Sequence, residues 1–142
     1  MKVTRLNPSN LFDSGPTGFS QIVWRDAGPW RHIHVSGQVA WGPDRKLAGT
    51  GDLESQVIES LRNVEKALRQ AGARLADVMS LRIYIVDSHI GDHEAVTRGL
   101  KAVFGNVPPA ATWIGVSCLA SPDFLVEIEP DPVTIPWTPE DR

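Results

Sequence analysis

A chain of 142 residues, 42% hydrophobic and 22% charged, is long enough to bury one real core and short for two, which predicts a single domain over residues 1–142. Seventeen acidic against fourteen basic residues give a formal charge of -3, so neither nucleic acid nor an anionic membrane is an expected partner. Cys118 is the only cysteine, which excludes an internal disulfide and a cysteine-built metal site; with no apolar run near the roughly 20 residues of a membrane span and no apolar leader in MKVTRLNPSN, a soluble, cytoplasmic protein is expected.

KVTRL reads as a short first strand, and NPSNLFDSGPTG, dense in Pro, Gly, Asn and Ser, as loop. SQIVWRD and HIHVSGQVAW are rich in β-branched and aromatic residues around the turn residues AGPW, which predicts a hairpin with His32, His34 and Ser36 on one face. After the loop GPDRKLAGTG, Asp52 is placed to cap a helix on which Leu53, Val57, Leu61, Val64 and Leu68 recur at helical spacing, with Gly72 as its C′ residue. VMSLRIYIVD follows as a strand carrying Met79, Leu81, Ile83 and Ile85 on one face and Arg82 and Tyr84 on the other. A second helix from about Gly91 to Phe104 turns Val96, Leu100, Val103 and Phe104 to the core. The prolines of PDPVTIPWTPEDR limit its pairing, so residues 130–142 are expected as an extended C-terminal arm or edge strand.

The stretch Asn106 to Glu129 is where chemistry is expected. In ATWIGVSCL, alternation puts Ala111, Trp113, Gly115 and Ser117 on one face and Thr112, Ile114 and Val116 on the other, and the second set is the more suited to a core. In FLVEIE it puts Glu127 and Glu129 opposite Val126 and Ile128. The candidate site face therefore carries a Trp, a Ser and two acids. The element order predicts an α+β sandwich with two helices packed on one face of a mixed sheet, and a bare opposite face that self-association would cover.

GFSQ at 18–21, HVSGQVAWGP at 34–43, GDLESQVIESLRNVEKALRQAGARLADVMSLRIYIVD at 51–87 and PPAATWIGVSCLASPDFLVEIE at 108–129 together resemble the RidA/YjgF family of reactive-intermediate deaminases. The resemblance implies a chorismate-mutase-like fold, a homotrimer with a central barrel, and small carboxylate-bearing ligands in clefts between subunits. Archetypal members hydrolyse 2-aminoacrylate-type enamines and imines to 2-keto acids and ammonia, with no metal or organic cofactor. Carried over by position, the family's water-positioning glutamate matches Glu127 and the glycine of its Ser-Gly-Gln run matches Gly37. The match breaks where the family's carboxylate-binding arginine stands, because this chain has Ala111 there. Trp113 replaces a small residue, and Phe19 replaces a tyrosine. A guanidinium grips a carboxylate through two charged hydrogen bonds that alanine cannot make.

These changes predict a cleft for a non-archetypal substrate, with Glu127 activating water and Phe19, Gly37, Ala111 and Trp113 lining the pocket, and weak activity on 2-iminopropionate. The alternative is a binding or regulatory trimer that has lost catalysis. Arg82 and Arg98 are the obvious substitutes for the missing cation. Trp24, Trp30, Trp41 and Trp137 are expected as core or interface anchors, Cys118 as a small buried residue, Glu129 as structural or solvated, and the paired histidines 32/34 and 89/93 as ordinary surface residues without a third metal ligand.

Overall fold

The computed structural model describes residues 2–138. Strands β1 (Val3–Leu6), β2 (Ile22–Ala27) and β3 (Trp30–Val35) run antiparallel, and β7 (Val133–Pro136) returns from the far end of the chain to pair with β3. The second sheet has β4 (Ser80–Val86) at its centre, parallel to β5 (Ala110–Val116) and antiparallel to β6 (Val126–Pro130). Reciprocal bonds between the backbones of Gln38 and Ile128, 2.8 and 2.9 Å, join the two sheets. The expected mixed sheet is thus built as two sections with one junction, beside Glu127. No helix among the described residues is long and apolar enough to cross a membrane.

Helix α1 (Leu53–Gln70) begins where the Asp52 side chain accepts from the Ser55 amide, and all five of its spaced apolar residues are buried. Each such side chain contributes roughly 1.5–3 kcal/mol on burial, so the face and not the propensity holds the helix in place. Ala71 closes it and Gly72 follows at φ +84°, as expected of a C′ residue. Asp92 caps α2 (His93–Phe104) in the same way through the Ala95 amide. The helices touch at Gly99, where a Cβ would stand 2.6 Å from a Val57 methyl, so only glycine permits this approach.

Leu81, Ile83 and Ile85 of β4 and Val126 and Ile128 of β6 all face the helices and are buried. Met79 does not join them. The strand starts at Ser80, and Met79 is left 85% exposed. The face of β5 is also the reverse of the expected one. Parallel pairing sets Trp113 beside Ile83 and Ile114 beside Tyr84, so Trp113 turns toward the helices and Thr112, Ile114 and Val116 turn away. The central strand decides the facing of its neighbour.

Candidate functional site

On the face away from the helices, β6 presents Glu127 and Glu129 beside Tyr84 and Arg82 of β4. Glu127 is half-buried and lies against Gly37. A Cβ at position 37 would stand 2.2 Å from its Oε1, so glycine is required there for room. The Gly37 segment is fixed by buried amides: Gln38 donates to the Gln21 side chain at 2.9 Å and to the Ser36 carbonyl at 2.9 Å, and the Ser36 hydroxyl donates to the Ser20 carbonyl at 2.8 Å. Phe19 leads into this segment, 44% exposed, with its ring edge-on to Phe12 at 6.1 Å. Among the described residues Glu127 makes no side-chain hydrogen bond or ion pair. Desolvation pushes its carboxyl above the ordinary value of 4.5, and the neighbouring Glu129 charge adds to the rise.

Glu129 has the opposite surroundings. Arg82 bonds it at 2.7 Å and bonds Asp131 as well, and the Tyr84 hydroxyl lies 3.3 Å away. These bonds raise the guanidinium's pKa further, with Glu129 the largest cause. Arg82 is therefore committed to the sheet. Arg98 is committed too, bonded to Glu54 at 2.7 Å with Glu94 at 3.8 Å. Neither expected substitute stands ready for an anionic ligand.

Ala111 and Trp113 lie on the helix side of β5, across the sheet from Glu127 and with β4 between the two strands. Trp113 is half-buried, packs on the core and meets the His93 ring edge-on, with centroids 5.6 Å apart. Within one chain, then, Gly37, Glu127 and the Phe19 segment come together, and Ala111 and Trp113 form a separate group. Cys118 is exposed and not buried as expected, because β5 ends at Val116 and the chain leaves the sheet there. On the outer face of the first sheet, His32 and His34 share a hollow with Arg25, and His32 Nδ1 lies 3.0 Å from the Thr134 hydroxyl. Of the other tryptophans, Trp24 and Trp137 pack on the core, Trp41 packs edge-on to Phe12 and Phe124, and Trp30 is 47% exposed.

The sequence model of the family described as Endoribonuclease L-PSP matches residues 16–132, the span that contains Phe19, Gly37, Ala111, Trp113 and Glu127. The chain belongs to this family, the RidA/YjgF family. Among its relatives, a RutC family protein of Pyrococcus abyssi is 31% identical over 97 residues, covering 68% of this chain and 74% of that one. A protein of Dermatophagoides farinae named 2-iminobutanoate/2-iminopropanoate deaminase is 26% identical over 97 residues, 68% of this chain and 73% of its own. The crystal structure of a YjgF/YER057c/UK114 family member from Mycobacterium tuberculosis superposes with a TM-score of 0.70 at 30% identity, over 94% of this chain and all of the other.

Within this RidA/YjgF chain, four polar residues of the matched segments support the site in ways that the motifs alone do not show. Gln21 and Gln38 hold the segment beside Glu127. Gln56 accepts from the Leu125 amide at 2.9 Å and donates to the Gly49 and Asp123 carbonyls, which fixes the approach to β6. Asn63 donates to the Val39 and Trp41 carbonyls, both at 2.8 Å. Gln56 and Asn63 lie among the buried, mostly apolar residues of α1, where a polar amide is the available signal, since a buried amide must satisfy backbone groups; Gln21 and Gln38 are buried outside the named strands, where no periodicity marks them.

Proposed function

We propose that this protein is a homotrimeric, cytoplasmic hydrolase of imines, enamines or related C–N bonds, acting on a small molecule held between subunits, with Glu127 as the general base. The observation that carries this reading is Glu127 itself: a half-buried carboxylate without a hydrogen-bond or ion-pair partner among the described residues, lying over a glycine and raised in pKa by burial. A raised carboxylate is a better match to a proton transfer near neutral pH than an ordinary one. In the proposed step a water proton passes to Glu127 as the oxygen bonds the imine carbon. The carboxylic acid returns that proton to nitrogen to give the carbinolamine; Glu127 then takes the carbinolamine hydroxyl proton and passes it to the amine as the C–N bond breaks, leaving a carbonyl compound and ammonia. The deaminase name carried by a 26%-identical relative supports the reaction class.

Placement between subunits is supported by the split of the site. Glu127 and Gly37 lie on one side of the sheet, Ala111 and Trp113 on the other, and β5 is an edge strand. A ligand touching both groups must lie between two copies of the chain, and association would also cover the outer face of the sheets. Nucleic-acid hydrolysis is not part of the proposal, given a net charge of -3. Ammonia release across a panel of imines, compared between wild type and Glu127→Gln, tests the reading. Background rates for both would overturn it.

One observation favours a second reading, a binding or regulatory trimer without turnover. Ala111 supplies no cation, and Arg82 and Arg98, the expected substitutes, are both held in ion pairs. Saturable metabolite binding with no turnover of any imine would support this reading over the first.

A further inference from the structure

A groove of about 440 Å³ lies between α2 and the start of β5. That volume is within the ~300–1,000 Å³ of small-molecule sites. Trp113, Leu100 and Pro108 give it apolar walls, and Thr97, Lys101 and Asn106 bring polar groups to it. Thr97 and Lys101 are one helical turn apart and so project from the same side of α2. Lys101 carries the only charge of the lining, and it makes no ion pair among the described residues. The contrast with Arg82 and Arg98, both held by carboxylates, is direct. A single free ammonium beside an indole matches a ligand with one anionic group and one flat apolar group. A second charge on the ligand would find no partner in this lining, and a small aliphatic acid would leave the indole unused.

We infer that this groove binds an aryl carboxylate, its ring against Trp113 and Leu100 and its carboxylate on Lys101. Resting on the hydrolytic reading above, the substrates become imines of 2-oxo acids with aromatic side chains, and Lys101 takes the charge-pairing role for which Ala111 has no group.

The test titrates the full-length protein calorimetrically with 3-phenylpropanoate, 3-phenylpropanamide and propanoate. The aryl acid should saturate and bind about five-fold tighter than the amide, the discrimination an exposed charge pair supplies, and propanoate should show no saturation. Lys101→Met, at an exposed position that should leave the fold intact, should bring the acid-to-amide ratio to about one without weakening the amide. Trp113→Leu, with folding checked by circular dichroism, should weaken both aryl ligands. Equal affinities for acid and amide in the wild type, or an unchanged ratio in Lys101→Met, would overturn the assignment. Because these titrations involve no turnover, a Lys101-dependent ratio with background hydrolysis leaves the groove standing and removes the deaminase reading, and an absent ratio beside Glu127-dependent hydrolysis does the reverse.

Discussion

Glu127 and Glu129 leave β6 on the same face, two residues apart, into opposite surroundings. Glu129 is bonded by Arg82 and approached by the Tyr84 hydroxyl, and the same Arg82 takes Asp131. Glu127 has no cation and no donor among the described residues, only the bare backbone of Gly37 and a neighbouring negative charge. One guanidinium is shared by the two acids at the outer end of the strand and leaves the third, at the sheet junction, uncompensated. The difference teaches that charge on this face is satisfied wherever it serves only the fold. An uncompensated carboxylate costs stability, and on that contrast the proposed site at Glu127 rests.

The largest expected break in this comparison is in turnover. Glu127→Gln should lower ammonia release from a hydrolysable imine by about 10²–10⁴-fold, the usual contribution of a general base. Glu129→Gln should keep turnover and move the acid limb of the pH profile downward, since it removes a charge that raises Glu127. Next in size, Gly37→Ala drives a methyl into Glu127 and should cost about 1–3 kcal/mol in denaturant unfolding, as overpacking does. Adding Glu127→Ala should return most of that loss, and failure to do so would show that the glycine serves something other than the carboxylate.

Arg82→Met should lower Tm at pH 7, where Glu129 and Asp131 lose their shared cation, and lower it less at pH 3, where carboxylates are protonated. The smallest effect concerns the stability of the site itself. Because the Glu127 pKa is raised on folding, the unfolded chain gives up this proton first as pH rises from about 4.5, and the folded state loses stability through that window. Glu127→Gln should therefore match the wild-type Tm near pH 4 and exceed it at pH 7. A scan in which the variant is less stable at pH 7 would mean that Glu127 has a stabilising partner.

Helix α1 was legible from end to end, because its cap, its apolar spacing and its closing glycine are all local signals. The facing of Glu127 and Glu129 was legible for a similar reason, since Val126 and Ile128 leave no doubt about which side is buried. β5 offered no such contrast. Thr112, Ile114 and Val116 read as the more apolar set beside Ala111, Trp113 and Gly115, but by a small margin, and the register with Ile83 settles the matter the other way from outside the segment. Met79 extended a correct alternation one step past the point where pairing begins. The roles of the amides at Gln21, Gln38, Gln56 and Asn63 were not legible, because the groups they bond come from distant parts of the chain. Of the arm expected over 130–142, residues 133–136 form a strand, and the last four residues lie outside the described residues.

Arg31 is buried beside the C-terminal segment of the chain. Its guanidinium bonds Asp26 and the Ala71 carbonyl at the end of α1, and it lies 3.2 Å from the centre of the Trp137 ring. Just beside it β7 pairs with β3, joining residues 102 positions apart in the chain. During synthesis the hairpin of β2 and β3 is therefore complete long before its last partner exists. Until the final residues emerge, β3 presents an open row of amides and carbonyls, the kind of edge through which nascent chains associate wrongly. Loss of a dozen residues from the C-terminus would make that temporary exposure permanent.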